Sequence, residues 1–269
     1  MGVFDEITIA IPTLNEEMNI DECLSALKDF SNIYVIDSGS TDSTLDICKK
    51  HNANVINFKW NGSFPKKRNW FLENFKINTD WILFIDADEV MTKDFLDEIH
   101  HKFEPNNYDG YWLSYTNYFL GKAMRFGFQQ KKLALFRTKF RYEYIQSQSV
   151  SQYDMEIHEH PVGLNRLGRL KAPIMHNDYN GLEKFIQKHV VYAKWECERL
   201  HSMKGSSMLT LRQKLKYKFL KIPFSPFLYF ILDFFILLRI LDGSTGLKYS
   251  FYKAWYFSVI RDLVREYET

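Results

Sequence analysis

Short apolar runs, each stopped abruptly by polar residues, recur along the first hundred positions and leave few folds open. Residues 7–11 read ITIAI, residues 33–36 IYVI and residues 81–85 WILFI. Near-continuous apolarity over so few positions marks strands covered on both faces, as in a mainly parallel sheet. Between the first two runs, Ile20, Cys23, Leu24 and Leu27 recur at helical spacing behind the acids Glu16 and Glu17. Strand, helix, strand at this length is a crossover unit. The spacing therefore predicts an α/β fold with a mainly parallel central sheet flanked by helices.

Further along, Thr92 is placed to cap a helix whose apolar face is Phe95, Leu96, Ile99 and Phe103, ending before Pro105. Strands are predicted at 111–116 and 132–137, with irregular stretches at 121–131 and 143–160. Helical periodicity returns from Leu182 to Leu200 through Phe185, Ile186, His189 and Ala193. Beyond it the composition changes, which divides the chain into an N-terminal domain, 1–204, and a C-terminal amphipathic and hydrophobic helical region, 205–269. There is no internal repeat and no low-complexity linker.

A chain of 269 residues can bury a sizeable core without cofactors or disulfides. Its 35 Lys and Arg against 33 Asp and Glu leave a net charge of +2, so no long-range field for nucleic acid is expected. Cys23, Cys48 and Cys197 are odd in number and lack metal-ligand spacing, which suits a reducing compartment. The first residues, MGVFDEITIAIPTLNEE, contain no basic segment followed by an apolar export core. Glu6 stands where a myristoylation signal expects a small hydroxylic residue.

The acids carry the chemical argument. Ligands of open parallel sheets bind outside the carboxyl ends of the strands. Asp37 follows IYVI and Asp86 follows WILFI, so parallel strands would set both on one rim, with Asp88 and Glu89 beside Asp86. Carboxylates gathered there suit Mn2+ or Mg2+, which commonly take one or two protein oxygens and complete their shell with phosphates. Asp88 is the first choice as ligand, and solvated turn acids are the plainer alternative. No glycine-rich dinucleotide fingerprint follows ITIAI and no GxxxxGK[ST] phosphate loop occurs, which argues against NAD and ATP enzymes.

The segments IPTLNEEMNIDECLSAL, IYVIDSGSTDST and WILFIDADE resemble the inverting, nucleotide-sugar-dependent glycosyltransferases of family 2, whose fold is called GT-A. The likeness is strong over about residues 7–110 and looser to about 200. GSFPKKRNW, IHEHP, MHNDY and LDGSTGLKYSFYKAWYF are similar to bacterial enzymes that extend lipopolysaccharide inner core, capsule and glycolipids. The resemblance implies that Pro12, Thr13, Asn15, Glu16, Asp37, Ser38, Lys66, Arg68, Asp86 and Ala87 line the nucleotide-sugar site. Asp37 would contact base or ribose, although Ser40 or Thr41 in the same stretch can also cap the helix that follows. Asp86 and Asp88 would form the aspartate, any residue, aspartate motif, with Asp88 on the metal. Glu159 of IHEHP would be the catalytic base, and Glu156 is the alternative.

Two further groups fit that chemistry. Lys66, Lys67 and Arg68 cluster at an expected helix start whose first turn suits Pro65, where cations hint at an anionic ligand. Arg68 has the fork geometry for a diphosphate or an acceptor phosphate, with an exposed basic turn as the alternative. His176, after a short apolar run, is either a core or capping histidine, or else a second metal ligand or diphosphate contact. A zinc site at His158, His160 and His176 is disfavoured by the lack of a compact ligand set.

In the tail, Arg212, Lys214, Lys216, Lys218 and Lys221 precede an apolar stretch interrupted by Pro223, Pro226, Asp233 and Arg239. A spanning helix needs about 20 apolar residues, so an in-plane or shallow contact with an anionic membrane is expected. Packing on the catalytic domain or across a homodimer is the alternative. The resulting expectation is a glycosyltransferase on the cytoplasmic face of the bacterial inner membrane. It would move a hexose, best glucose from UDP-glucose, to lipopolysaccharide core or a lipid-linked glycan. A polyprenyl-phosphate sugar synthase and a non-catalytic sugar-nucleotide-binding protein are the rival readings.

Overall fold

The computed structural model describes residues 2–61, 65–143, 160–202, 215, 218–220 and 222–268. Its strands, in chain order, are β1 (Ile7–Thr13), β2 (Asn32–Asp37), β3 (Asn54–Asn57), β4 (Trp81–Phe84), β5 (Glu89–Val90), β6 (Gly110–Phe119), β7 (Lys122–Ala123), β8 (Lys131–Arg137), β9 (Arg141–Tyr142), β10 (Pro161–Val162) and β11 (Leu167–His176). The helices are α1 (Ile20–Ser25), α2 (Thr44–Lys50), α3 (Lys67–Asn74), α4 (Lys93–Lys102), α5 (Gly181–Ser202), α6 (Ser225–Ile231) and α7 (Gly243–Glu268). The described residues form two compact units, one of 2–121, 129–143 and 160–179, the other of 122–128 and 180–268. Helix α5, which the sequence reading groups with the first 204 residues, belongs to the second unit.

The first unit is built on a sheet of order β3-β2-β1-β4-β8-β6-β11-β5. Two-sided burial explains why its early strands are so apolar. Ile7, Ile9 and Ile11 pack with Cys23, Leu24, Phe95 and Ile99 from α1 and α4. Ala10, Ile36, Ile82 and Phe84 belong to a separate cluster with Phe71 and Leu72 of α3, as the two-residue period of a strand requires. Thr92 caps α4 as expected, its hydroxyl accepting a bond from the Phe95 N–H at 3.2 Å.

The sheet is parallel from β3 to β4 and mixed beyond. Strand β8 is antiparallel to both β4 and β6, β11 is parallel to β6, and β5 is antiparallel to β11. The start of β8, not its end, therefore lies beside the carboxyl end of β4. Strand β11 has no clean alternating pattern because Gly168, Arg169, Lys171 and Pro173 interrupt it. Its register against β6 shifts between Arg169 and Pro173, a place where a proline is tolerated. Glu98 of α4 accepts the Lys171 and Ala172 N–H groups at 2.7 and 2.6 Å, satisfying amides within that irregularity.

The second unit has its own small core, in which Ala193, Leu220 and Ile260 are buried among Tyr256, Phe257 and Leu263. Residues 232–236 form a π-helical turn after α6, and 239–242 a 3-10 turn before α7. Among the described residues, no helix is long and apolar enough to cross a membrane. Asp233, Arg239 and Ser250 are buried together: Arg239 Nε lies 3.1 Å from Asp233 Oδ2, and Ser250 donates to the same oxygen at 2.7 Å.

Candidate active site at the sheet rim

The polar residues that end the parallel strands fold back into one rim. Loops 14–17 and 38–44 are stitched together: Asn15 N–H donates to Ser40 Oγ, Thr41 N–H to Asn15 Oδ1, and Glu16 N–H to Thr44 Oγ1, each at 2.8 Å. Asn15 adopts φ 55°, a left-handed conformation that asparagine enters more readily than most residues. Pro12 and Thr13 sit in register with Ile36 and Asp37, and Ser38 N–H donates to the Thr13 carbonyl. The Asp37 carboxylate is buried and accepts the Gly39 and Ser40 N–H groups at 2.8 and 2.9 Å.

The expected cap of α2 requires correction. Ser40 and Thr41 bond instead to Asp37 and Asn15, and Asp42 accepts the Thr44 N–H at 3.0 Å. Likewise α3 begins at Lys67 with Lys66 as its N-cap, so Pro65 precedes the cap and is not in the first turn.

The basic cluster is not an exposed turn. Lys66 and Lys67 are buried, and Lys67 Nζ donates to the Thr13 carbonyl at 3.1 Å. Arg68 Nη2 lies 3.0 Å from Asp86 Oδ1, and its guanidinium stands 5.2 Å from the Tyr142 ring centroid and 5.9 Å from that of Phe84. The opposite oxygen of Asp86 meets Lys132 Nζ at 2.6 Å. Lys132 also pairs with Glu89, whose side chain is 0% exposed and whose Oε2 accepts the Asp86 N–H at 3.1 Å. Burial alone would raise the Asp86 pKa, but Lys132 and then Arg68 hold it well below the usual carboxylate range. Burial pushes the Glu89 pKa up despite Lys132, with the Asp86 charge adding to the rise.

Lys132 is absent from the sequence-based candidates. It opens the run KLALFR, and that end reaches the rim because β8 runs antiparallel to β4. Glu89 stands in the acid-rich turn, yet nothing in the sequence marks it as the buried partner.

Asp88 and His176 meet through strand pairing. The short β5 pairs with the end of β11, setting His176 opposite Glu89, and Asn177 N–H donates to the Asp88 carbonyl at 2.9 Å. His176 Nε2 lies 3.4 Å from Asp88 Oδ2, while Nδ1 faces Asn117 Oδ1 at 2.8 Å and Gln130 Oε1 at 3.2 Å. Burial would depress the His176 pKa, but Asp88 outweighs it and raises the value above that of an ordinary imidazole. Acceptors at both ring nitrogens thus favour the imidazolium. A carboxylate oxygen facing an imidazole nitrogen is a donor pair that a divalent cation can bridge in place of that proton. Among the described residues no three His, Cys, Asp or Glu side chains gather as a metal cluster, and Asp88 with His176 is the pair considered at this rim. Phosphate oxygens and waters would complete such a shell.

Ala87 is buried between the two aspartates. Burial, then the charges of Glu89, Asp88 and Asp86, push the nearby Cys23 thiol well up, which makes it a poor thiolate ligand. The expected base Glu159, its alternative Glu156, and His158 lie outside the described residues.

An open α/β sheet of this order, with paired aspartates at the carboxyl end of β4, defines a GT-A-like glycosyltransferase domain. Residues 8–160 match the family described as Glycosyl transferase family 2, and the chain belongs to that family. It is 36% identical over 108 residues to an uncharacterized glycosyltransferase of Rickettsia conorii, covering 40% of this chain and 37% of that protein. Over 91 residues it is 40% identical to the SPbeta prophage-derived glycosyltransferase SunS of Bacillus subtilis, covering 33% of this chain and 21% of that one. The match thus spans well under half the length of either relative. Among solved structures, a mannosyltransferase from Pyrobaculum calidifontis in complex with GDP-Man and Mn2+ superimposes with TM-score 0.52. It is 12% identical, and the alignment covers 97% of this chain and 87% of that one.

Proposed function

We propose that the chain is an inverting hexosyltransferase that moves a sugar, best glucose from UDP-glucose, to a hydroxyl of lipopolysaccharide core or a lipid-linked glycan. Family membership supports the reaction class. The observation that carries the site assignment is the Asp88–His176 pair beside an Asp86 carboxylate held ionised by Lys132 and Arg68. In this reading Asp88 and His176 hold Mn2+ or Mg2+, which when bound would neutralise charge developing on the leaving diphosphate. Arg68, braced by aromatic rings, adds a cation on the same side. The loops carrying Asn15, Glu16, Asp37 and Ser38 receive the nucleoside. Glu159 accepts the proton of the attacking acceptor hydroxyl on the face opposite the departing nucleotide, so an α-linked donor gives a β-linked product.

The test is a panel of sugar nucleotides offered with truncated lipopolysaccharide and with prenyl phosphates, products being read by mass spectrometry. Transfer to the glycan acceptor is expected. D88N and H176A should weaken Mn2+ affinity in a direct binding measurement. E159Q should keep donor binding and lose transfer by about 10²–10⁴-fold. Product on prenyl phosphate alone would favour the sugar-phosphate synthase instead, and wild-type transfer by E159Q would remove that residue's role.

A further inference from the structure

The second unit is inverted in polarity between residues 222 and 251. Not one Phe, Ile or Leu in that span is buried. The buried side chains there are Ser225, Asp233, Arg239, Thr245 and Ser250. Phe224 is 75% exposed, Ile236 66% and Phe251 62%. Within α7 alone, Leu247 and Phe251 share one outward face at a four-residue spacing, while Gly246 and Ser250 share the inward one.

A water-facing segment gains by the opposite arrangement, since burying a charge costs free energy and burying a phenyl ring returns it. Here Asp233, Arg239 and Asp242 turn their charges inside and satisfy one another. Asp233 accepts from Arg239 and Ser250, Arg239 lies 3.7 Å from Asp242, and its guanidinium covers the Tyr249 ring at 4.7 Å. Asp242 also accepts the Arg125 and Phe126 N–H groups at 3.0 and 3.2 Å. That is the organisation a low-dielectric surrounding demands of polar groups.

The border of the face narrows the occupant further. Its two acids, Asp233 and Asp242, are both neutralised internally, whereas Lys218 and Lys248 are exposed. Tyr229, Tyr249, Tyr252 and Trp255 are partly buried, an amphipathic set suited to headgroup level. Helix α6 has seven residues and spans only about 10 Å, so it can lie in an interface but not cross one.

We infer that residues 222–251 form a wedge whose apolar side dissolves in the acyl layer of an anionic bilayer while Lys218 and Lys248 meet lipid phosphates. This goes beyond the proposed transfer reaction and does not depend on it. The buried Asp233–Arg239 network then fixes the shape of the wedge, leaving its hydrocarbon side chains for the lipid.

The test is flotation of the full chain with vesicles of phosphatidylcholine, alone or mixed with phosphatidylglycerol, and it needs no substrate. Wild type should float with the mixed vesicles. F227E/I236E/F251E alters only exposed positions and should melt like wild type, yet lose binding by at least about a hundredfold. K218E/K248E should lose the preference for anionic vesicles by roughly tenfold. An environment-sensitive dye on I236C should shift to the blue on binding and be quenched by spin-labelled acyl chains. Equal flotation of the triple glutamate variant, or a wild type that floats with neither vesicle, overturns the inference. So does a dye that stays water-exposed while the wild type sediments as a dimer that the triple variant dissolves, since a second copy would then cover the face.

Discussion

Replacing Lys132 by methionine tests whether the rim is held by its buried charge pairing. Lys132 serves two carboxylates of different exposure: Asp86 is 34% exposed, while Glu89 is 0% exposed. The Asp86 partnership is largely screened by solvent and contributes little to stability. Glu89 has no such relief, and breaking a buried pair by removing one partner costs about 3–5 kcal/mol. Because the Asp86 N–H still reaches Glu89 at 3.1 Å, we expect about 2–4 kcal/mol for K132M. For a domain of this size that is a fall in Tm of roughly 5–15 °C. Chemical denaturation of wild type, K132M, E89Q and K132M/E89Q gives the coupling energy directly, and about 2 kcal/mol is expected. The double variant should be more stable than K132M, because glutamine carries no charge to strand. Glu89's pKa is already raised by burial, and losing Lys132 raises it further. A raised acid loses stability as pH climbs through its folded pKa, so the K132M deficit should shrink as pH falls from neutral. A coupling below about 0.5 kcal/mol, or a deficit unchanged with pH, would refute the reasoning.

Two other outcomes follow from groups remote from the rim. E98A should destabilise the first unit by about 2–4 kcal/mol, since it strands the Lys171 and Ala172 amides, as denaturant midpoints would register. Burial would raise the Glu98 pKa, but Lys102 and the two amides lower it, so this contribution is present at neutral pH and lost as pH falls through the depressed value. His189 is lowered to about 4 by burial and then by Lys253. Stability of the second unit should therefore fall as pH drops from about 6.5 to 4, by up to roughly 3 kcal/mol, and H189Q should flatten that slope in melts across pH.

How far the sequence could be read varied with how local each cause is. The apolar runs of β1, β2 and β4 and the Thr92 cap are decided by neighbours within a few residues, and the structure agrees with them. Strand β11 escaped because its Gly168 and Pro173 look like turn residues, and only Glu98 from a different element makes the irregularity tolerable. The paired aspartates were visible as a rim, but Lys132 was not, because a lone lysine at the head of a strand is informative only once the strand's direction is known. His176 was visible as a candidate, and its meeting with Asp88 depends on two residues of β5 pairing with the end of β11. No spacing rule contains that contact.

The late arrival of β8 and β11 in the chain bears on synthesis. As the polypeptide leaves the ribosome, Asp86, Asp88 and Glu89 emerge well before Lys132 and His176. A nascent chain ending before residue 131 has its parallel strands but no cation from β8 for Glu89, so it should stay loosely closed and exposed to proteases. Completion of the first unit and completion of its reactive centre would then be a single kinetic event.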